Sequence, residues 1–141
     1  MPSTGPIIVI EDDMEDQQLL DETFRCLKYP NEIIFFSDGY KALEYINKTE
    51  VQPFIILSDI NMPTIDGFAL KKMIQNNEAL NVRCIPYLFF TTGVDKKGVT
   101  DAYAMSAQGF FIKPHTMAGL QNTIRKIVEY WQECFAPNHY L

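Results

Sequence analysis

The sequence predicts an α/β fold: five parallel strands in one doubly wound sheet, with helices on both faces. Three observations carry that expectation. Short apolar runs recur along the chain without polar alternation, stretches of helical period fall between them, and no repeat or linker interrupts the series. Strands covered on both faces read as continuous hydrophobic runs. Regular strand–helix alternation is the pattern of a parallel sheet joined by right-handed crossovers.

The first run is Pro6-Ile7-Ile8-Val9-Ile10 and the second Ile33-Ile34-Phe35-Phe36. Phe54-Ile55-Ile56-Leu57, Ile85-Pro86-Tyr87-Leu88-Phe89-Phe90 and the shorter Gly109-Phe110-Phe111-Ile112 follow. Between the first two, Leu19, Leu20, Phe24 and Leu27 mark a helix. Leu43 and Ile46, after Asp38-Gly39, mark a second, and Phe68, Leu70, Met73 and Ile74, after Asp66-Gly67, a third. Small residues and Gly98 dilute the pattern from Lys97 to Gln108. The last helix has the clearest stripe, with Leu120, Ile124, Ile127, Val128 and Trp131 on one face and Gln121, Asn122, Arg125, Lys126 and Glu129 on the other.

A chain of 141 residues reads as one domain, residues 1–141, with a core from about 6 to 132 and short tails. Its 47% hydrophobic and 21% charged composition is that of a globular chain able to bury a core without staples. The net charge of −6, with no basic stripe, argues against direct nucleic-acid or anionic-membrane binding. No run has the roughly 18 apolar residues of a membrane span, and the N-terminus lacks the pattern of a signal peptide, so a cytoplasmic location is expected. Cys26, Cys84 and Cys134 form no close pair, and they read as reduced, mostly buried thiols. With only His115 and His139 as histidines, a soft-metal site is not expected.

In such a sheet the sites lie at the carboxyl ends of the strands. Glu11-Asp12-Asp13 follows the first run, Ser58-Asp59 the third, Thr91-Thr92 the fourth and Lys113-Pro114 the fifth. Asp13 reads equally well as a helix cap. Glu11, Asp12 and Asp59 within 4–6 Å would repel by about 1–4 kcal/mol per pair. A retained proton or a cation must then offset the cluster. All the candidate ligands are hard oxygens and they are few, which fits Mg²⁺ with several waters better than zinc or a calcium cage. Three carboxylates, a divalent cation and the Lys113 ammonium sum to zero. An added phosphoryl group of about −2 would seek new donors, and the Thr91 hydroxyl is one that could swing in.

Four segments in order resemble the receiver domain of two-component response regulators, across essentially the whole chain. They are Ile10-Glu11-Asp12-Asp13; Leu57-Ser58-Asp59-Ile60-Asn61-Met62-Pro63 with Asp66-Gly67; Phe90-Thr91-Thr92-Gly93; and Gly109-Phe110-Phe111-Ile112-Lys113-Pro114. The resemblance implies a flavodoxin-like sheet of order 2-1-3-4-5. It also implies transfer of a phosphoryl group from a sensor histidine kinase or histidine phosphotransfer protein to Asp59. Mg²⁺ would be held by Glu11, Asp12, Asp59 and the Asn61 carbonyl. Lys113, Thr91 and the backbone around Asn61 and Thr92 would bind the phosphoryl oxygens. Thr91 and Phe110 would form the switch pair, and the Lys113–Pro114 peptide would be cis, as is usual in the family. Phe110 reads equally as a core aromatic, and His115 as a surface or cap residue.

The resemblance leads us to expect a stand-alone receiver, not a conventional enzyme, that signals to an unidentified downstream protein. Its expected output surface is the last two helices and the strand between them, with Tyr103, Met105, Phe110 and the tail aromatics Phe135 and Tyr140; a homodimer through that face is one expectation. The competing reading is a receiver-like binding module that never accepts phosphate, but such modules typically lose the aspartate, the acidic pair or the lysine, all present here. An aspartyl-phosphate phosphohydrolase would need an acid where Asn61 stands. In a flavodoxin, Glu11-Asp12-Asp13 would repel the cofactor's phosphate.

Overall fold

The computed structural model describes residues 4–93 and 96–134; the tail residues Phe135, Pro137, His139 and Tyr140 lie outside the described residues. Five strands alternate with helices: β1 (Ile7–Ile10), α1 (Met14–Leu27), β2 (Ile33–Phe36), α2 (Gly39–Lys48), β3 (Ile55–Ser58) and α3 (Gly67–Asn76). The second half holds α4 (Glu78–Asn81), β4 (Tyr87–Thr91), α5 (Lys96–Ala104), β5 (Gly109–Ile112) and α6 (Met117–Glu133). All strand pairs are parallel and the order is β2-β1-β3-β4-β5, as expected.

Successive strand residues enter opposite cores, which is why the runs do not alternate with polar residues. Ile8, Ile10, Ile56, Tyr87 and Phe89 pack with Ala42, Ile46, Leu70, Ile74 and Ala102, from α2, α3 and α5. Ile7, Val9, Ile55, Leu57 and Phe90 pack with Leu20, Phe24, Leu120, Ile124 and Val128, from α1 and α6. Each fully buried side chain of this kind stabilises the fold by about 1.5–3 kcal/mol relative to exposure. At the sheet edge, every residue of β2 is only half-buried.

Helix starts follow their caps. The Asp13 carboxylate accepts from the amides of Glu15 and Asp16, Asp38 from Tyr40, Asp66 from Ala69, and the Thr116 hydroxyl from Gly119. The sequence pattern misses one element, and two expectations need correction. The single turn of α4, capped by Asn77, was absent from the sequence reading because four residues carry no helical period. Cys26 and Cys84 are exposed and Cys134 is half-buried: the first two lie on α1's outer surface and in the turn before β4, away from both cores. No peptide bond among the described residues is cis, so Lys113–Pro114 takes the trans form that most X–Pro bonds adopt.

Candidate functional site at the strand ends

Sheet register assembles the site. Ile10 of β1 pairs with Ser58 of β3, so Glu11 and Asp59 leave adjacent strands at the same level. The Asp59 amide donates to the Ile10 carbonyl at 3.0 Å and extends the ladder by one rung. On the other side Thr91 pairs with Ile112, and the Lys113 amide donates to the Thr91 carbonyl at 2.7 Å. Four segments distant in sequence thus end at one place, as the topology requires.

The Lys113 ammonium is the electrostatic centre. It bonds to Glu11 Oε2, and lies 3.2 Å from Asp16 Oδ2 and 3.4 Å from Asp59 Oδ2. Glu11 is 1% exposed, Lys113 6% and Asp59 8%. Burial pushes the Glu11 carboxyl up to about 7, against the pull of Lys113. Burial acts most strongly to lower the Lys113 ammonium, but Glu11, Asp59 and Asp16 together outweigh it and hold the ammonium above its ordinary value.

Carboxylate oxygens of Glu11, Asp12 and Asp59 lie within 4.8 Å of one another. Asp12 is half-buried, so the trio opens to water on one side. An all-oxygen set with that opening fits a hard divalent cation that keeps some of its waters. Local bonds hold two of the three, Asp59 and Glu11, in place. Ile60 N donates to Asp59 Oδ1 at 2.7 Å, Asp13 N donates to Glu11 Oε1 at 3.0 Å, and the Gln17 side-chain amide donates to the Glu11 carbonyl.

The remaining candidates differ in placement. Thr91 is fully buried, and its hydroxyl has no hydrogen-bond partner. Leaving such a buried donor without a partner costs roughly 1–3 kcal/mol. Asn61 and Thr92 are exposed beside the site. Phe110 is half-buried, with its ring 6.0 Å from that of Phe89, so in this state it serves as a packing residue. His115 is exposed, as read from sequence. Asp13 proves to be the cap of α1. The residue that sequence reasoning missed is Asp16: its only signal was an acid five residues past Glu11, the usual composition of a helix's first turn.

Comparison with known proteins places this geometry in context. The model of the family described as "Response regulator receiver domain" matches residues 7–125. Over 129 residues the chain is 30% identical to the Probable methanogenesis regulatory protein FilR2 of Methanothrix harundinacea, covering 89% of this chain and 82% of that protein. Response regulator RPA3017, solved in the context of red light signaling of R. palustris, superposes with a TM-score of 0.83 at 26% identity, covering 94% of this chain and 98% of that one. The Mn²⁺-bound form of response regulator Rcp1, a protein of Synechocystis sp., superposes with a TM-score of 0.76 at 26% identity, covering 92% and 95%.

Proposed function

The chain belongs to the response regulator receiver domain family, and on that premise we propose that Asp59 accepts a phosphoryl group from a phosphohistidine of a kinase or phosphotransfer partner. The reaction is Mg²⁺-dependent, and the phosphorylated form signals by protein contact. One observation supports this reading above the others: Asp59, Glu11 and Asp12 meet within 4.8 Å, with the Lys113 ammonium 3.4 Å from Asp59.

In the transfer, an Asp59 oxygen forms a bond to phosphorus as the phosphorus–nitrogen bond to the donor imidazole breaks, and that bond's electron pair stays on the imidazole nitrogen. A carboxylate nucleophile has no proton to lose near neutral pH, so no general base is needed. Catalysis then reduces to positioning and charge neutralisation. Glu11, Asp12 and Asp59 would hold the cation, with the Asn61 main-chain carbonyl as a further ligand. Bound there, Mg²⁺ supplies positive charge that offsets the carboxylates and the approaching phosphoryl oxygens. Ile60 N keeps the Asp59 carboxylate oriented. Lys113 donates to the phosphoryl group, and the unpartnered Thr91 hydroxyl is the donor available to turn toward it. Main-chain amides around Asn61 and Thr92 complete the set. The face formed by α5, β5 and α6, where Tyr103 and Ile112 are exposed, carries the output contact.

Intact mass after incubation with acetyl phosphate and Mg²⁺ tests the proposal. One hydroxylamine-labile phosphoryl adduct is expected on the native chain, and none on Asp59→Asn or in metal-free samples. If no adduct forms with acetyl phosphate or with a phosphohistidine donor, and Mg²⁺ does not bind, the chain is a binding module instead.

A further inference from the structure

Lys113 faces three carboxylates, and only two of them, Glu11 and Asp59, belong to the trio that could hold a cation. The third is Asp16, in the first turn of α1, 3.2 Å from the ammonium. We propose that Asp16 is a positioning residue acting through Lys113: it competes with the phosphoryl group for the ammonium and so limits the stability of the phosphorylated state. This inference rests on the reading of Asp59 as phosphoacceptor.

An ammonium has three donors and no more, and here Glu11, Asp16 and Asp59 take all three. A phosphoryl group on Asp59 brings about two negative charges and needs the same ammonium. It therefore arrives at a cation that Asp16 has already partly neutralised. Two anionic acceptors around one ammonium lie roughly 4–6 Å apart and repel each other, and this repulsion weakens binding of the newcomer.

Helix α1 does not need the Asp16 carboxylate for its own start. The Asp13 side chain already accepts from the amides of Glu15 and Asp16, at 2.9 and 3.1 Å, and Glu15 provides a first-turn acid. The Asp16 carboxylate is aimed at Lys113 instead. Both residues line a cavity of about 160 Å³ bounded also by Leu20, Pro114 and Met117, between α1 and the start of α6. The Asp16 side chain is 31% exposed there, against 2% for Glu11. Water and ions reach the Asp16 side of the pair and are kept from the Glu11 side, so salt screens the one bond and not the other.

The test uses beryllium fluoride, a small anion that adds to a carboxylate oxygen much as a phosphoryl group does. Its affinity is measured by calorimetry at saturating Mg²⁺ for the native chain, Asp16→Asn, Asp16→Ala and Asp59→Asn. Both Asp16 variants are expected to bind it about two- to fivefold more tightly at low salt, the size of one part-exposed ion pair. That gain should disappear near 1 M salt, where the Debye length is about 3 Å. Unchanged affinity, weaker affinity or a gain that survives high salt would overturn the proposal. So would tightening in Asp16→Ala alone, because Asp16→Asn removes the same charge. The native chain binding no more than Asp59→Asn would overturn the phosphoacceptor reading, and this inference with it. Native binding with unchanged Asp16 variants removes this inference only.

Discussion

A β-carbon added at Gly67 would lie 2.3 Å from the Asp59 carbonyl oxygen and 3.0 Å from the Ile60 Cα. Both obstacles are backbone, so neither can rotate away. The first residue of α3 therefore lies directly on the loop that carries Asp59. Gly67 N donates to the Ile60 carbonyl at 2.8 Å, and the Tyr87 hydroxyl donates to the Gly67 carbonyl at 3.2 Å. Gly67→Ala is expected to cost about 1–3 kcal/mol in urea denaturation, through overpacking, and to weaken Mg²⁺ binding by displacing Asp59. Gly93→Ala is the matched control, because no atom lies within 4 Å of the added carbon; its stability should stay within about 0.5 kcal/mol of the native value. In sequence, Asp66-Gly67 is legible as a helix start. The close approach that demands glycine is not, because it depends on how the loop after β3 folds back so that the Asp59 backbone meets the start of α3.

The elements show the same division. Period and capping residues place the helices, but how a helix end is secured depends on what packs over it. The carbonyls at the end of α2 are met by Arg83, from the turn after α4. Its guanidinium donates to the carbonyls of Ile46, Thr49 and Val51 at 2.8, 3.1 and 3.0 Å, and to Gln52 Oε1 at 3.1 Å. The Gln52 side chain returns a bond to the Arg83 carbonyl at 2.9 Å. Arg83→Ala should lower stability by about 1–3 kcal/mol in chemical denaturation, the cost of leaving such carbonyls unpaired. Arg83→Lys should recover less than half of that, because an ammonium lacks the planar fork that spans several acceptors. An unchanged midpoint in Arg83→Ala would mean that water replaces the guanidinium fully. Neither Arg83 nor α4 stood out in sequence: a lone arginine and a single helical turn have no periodicity to betray them.

Across the whole molecule, the acidic site is expected to couple folding to pH and, on the proposed function, to divalent-cation binding. Glu11 is held by burial at about 7, above its ordinary value of 4.5. A carboxyl with a raised folded-state pKa contributes stability that is complete below the unfolded value and is lost as pH rises through the folded one. Without a divalent cation, the native chain should therefore be less stable at pH 8 than at pH 5, and Glu11→Gln should flatten that slope. Adding Mg²⁺ should restore stability preferentially at pH 8, because the cation binds the ionised form. Denaturation series at both pH values, with chelator and with Mg²⁺, check this. A slope shared equally by the native chain and Glu11→Gln would remove Glu11 as its source.

Short apolar runs, helical stripes between them, and charged or hydroxyl residues at four run ends were sufficient, from sequence alone, to establish a doubly wound parallel sheet and to nominate Glu11, Asp12, Asp59, Thr91 and Lys113. These properties are legible because strand burial and crossover topology impose local patterns. Tertiary structure alone decided which charges touch. Register set Ile10 beside Ser58 and Thr91 beside Ile112, and so drew Glu11, Asp59 and Lys113 together. It also turned Asp16 from an ordinary first-turn acid into the third partner of Lys113, and left the Thr91 hydroxyl buried without a partner. The reason is physical: an ion pair or an orphaned donor is defined by distances between segments as many as 102 residues apart, and no local pattern encodes them.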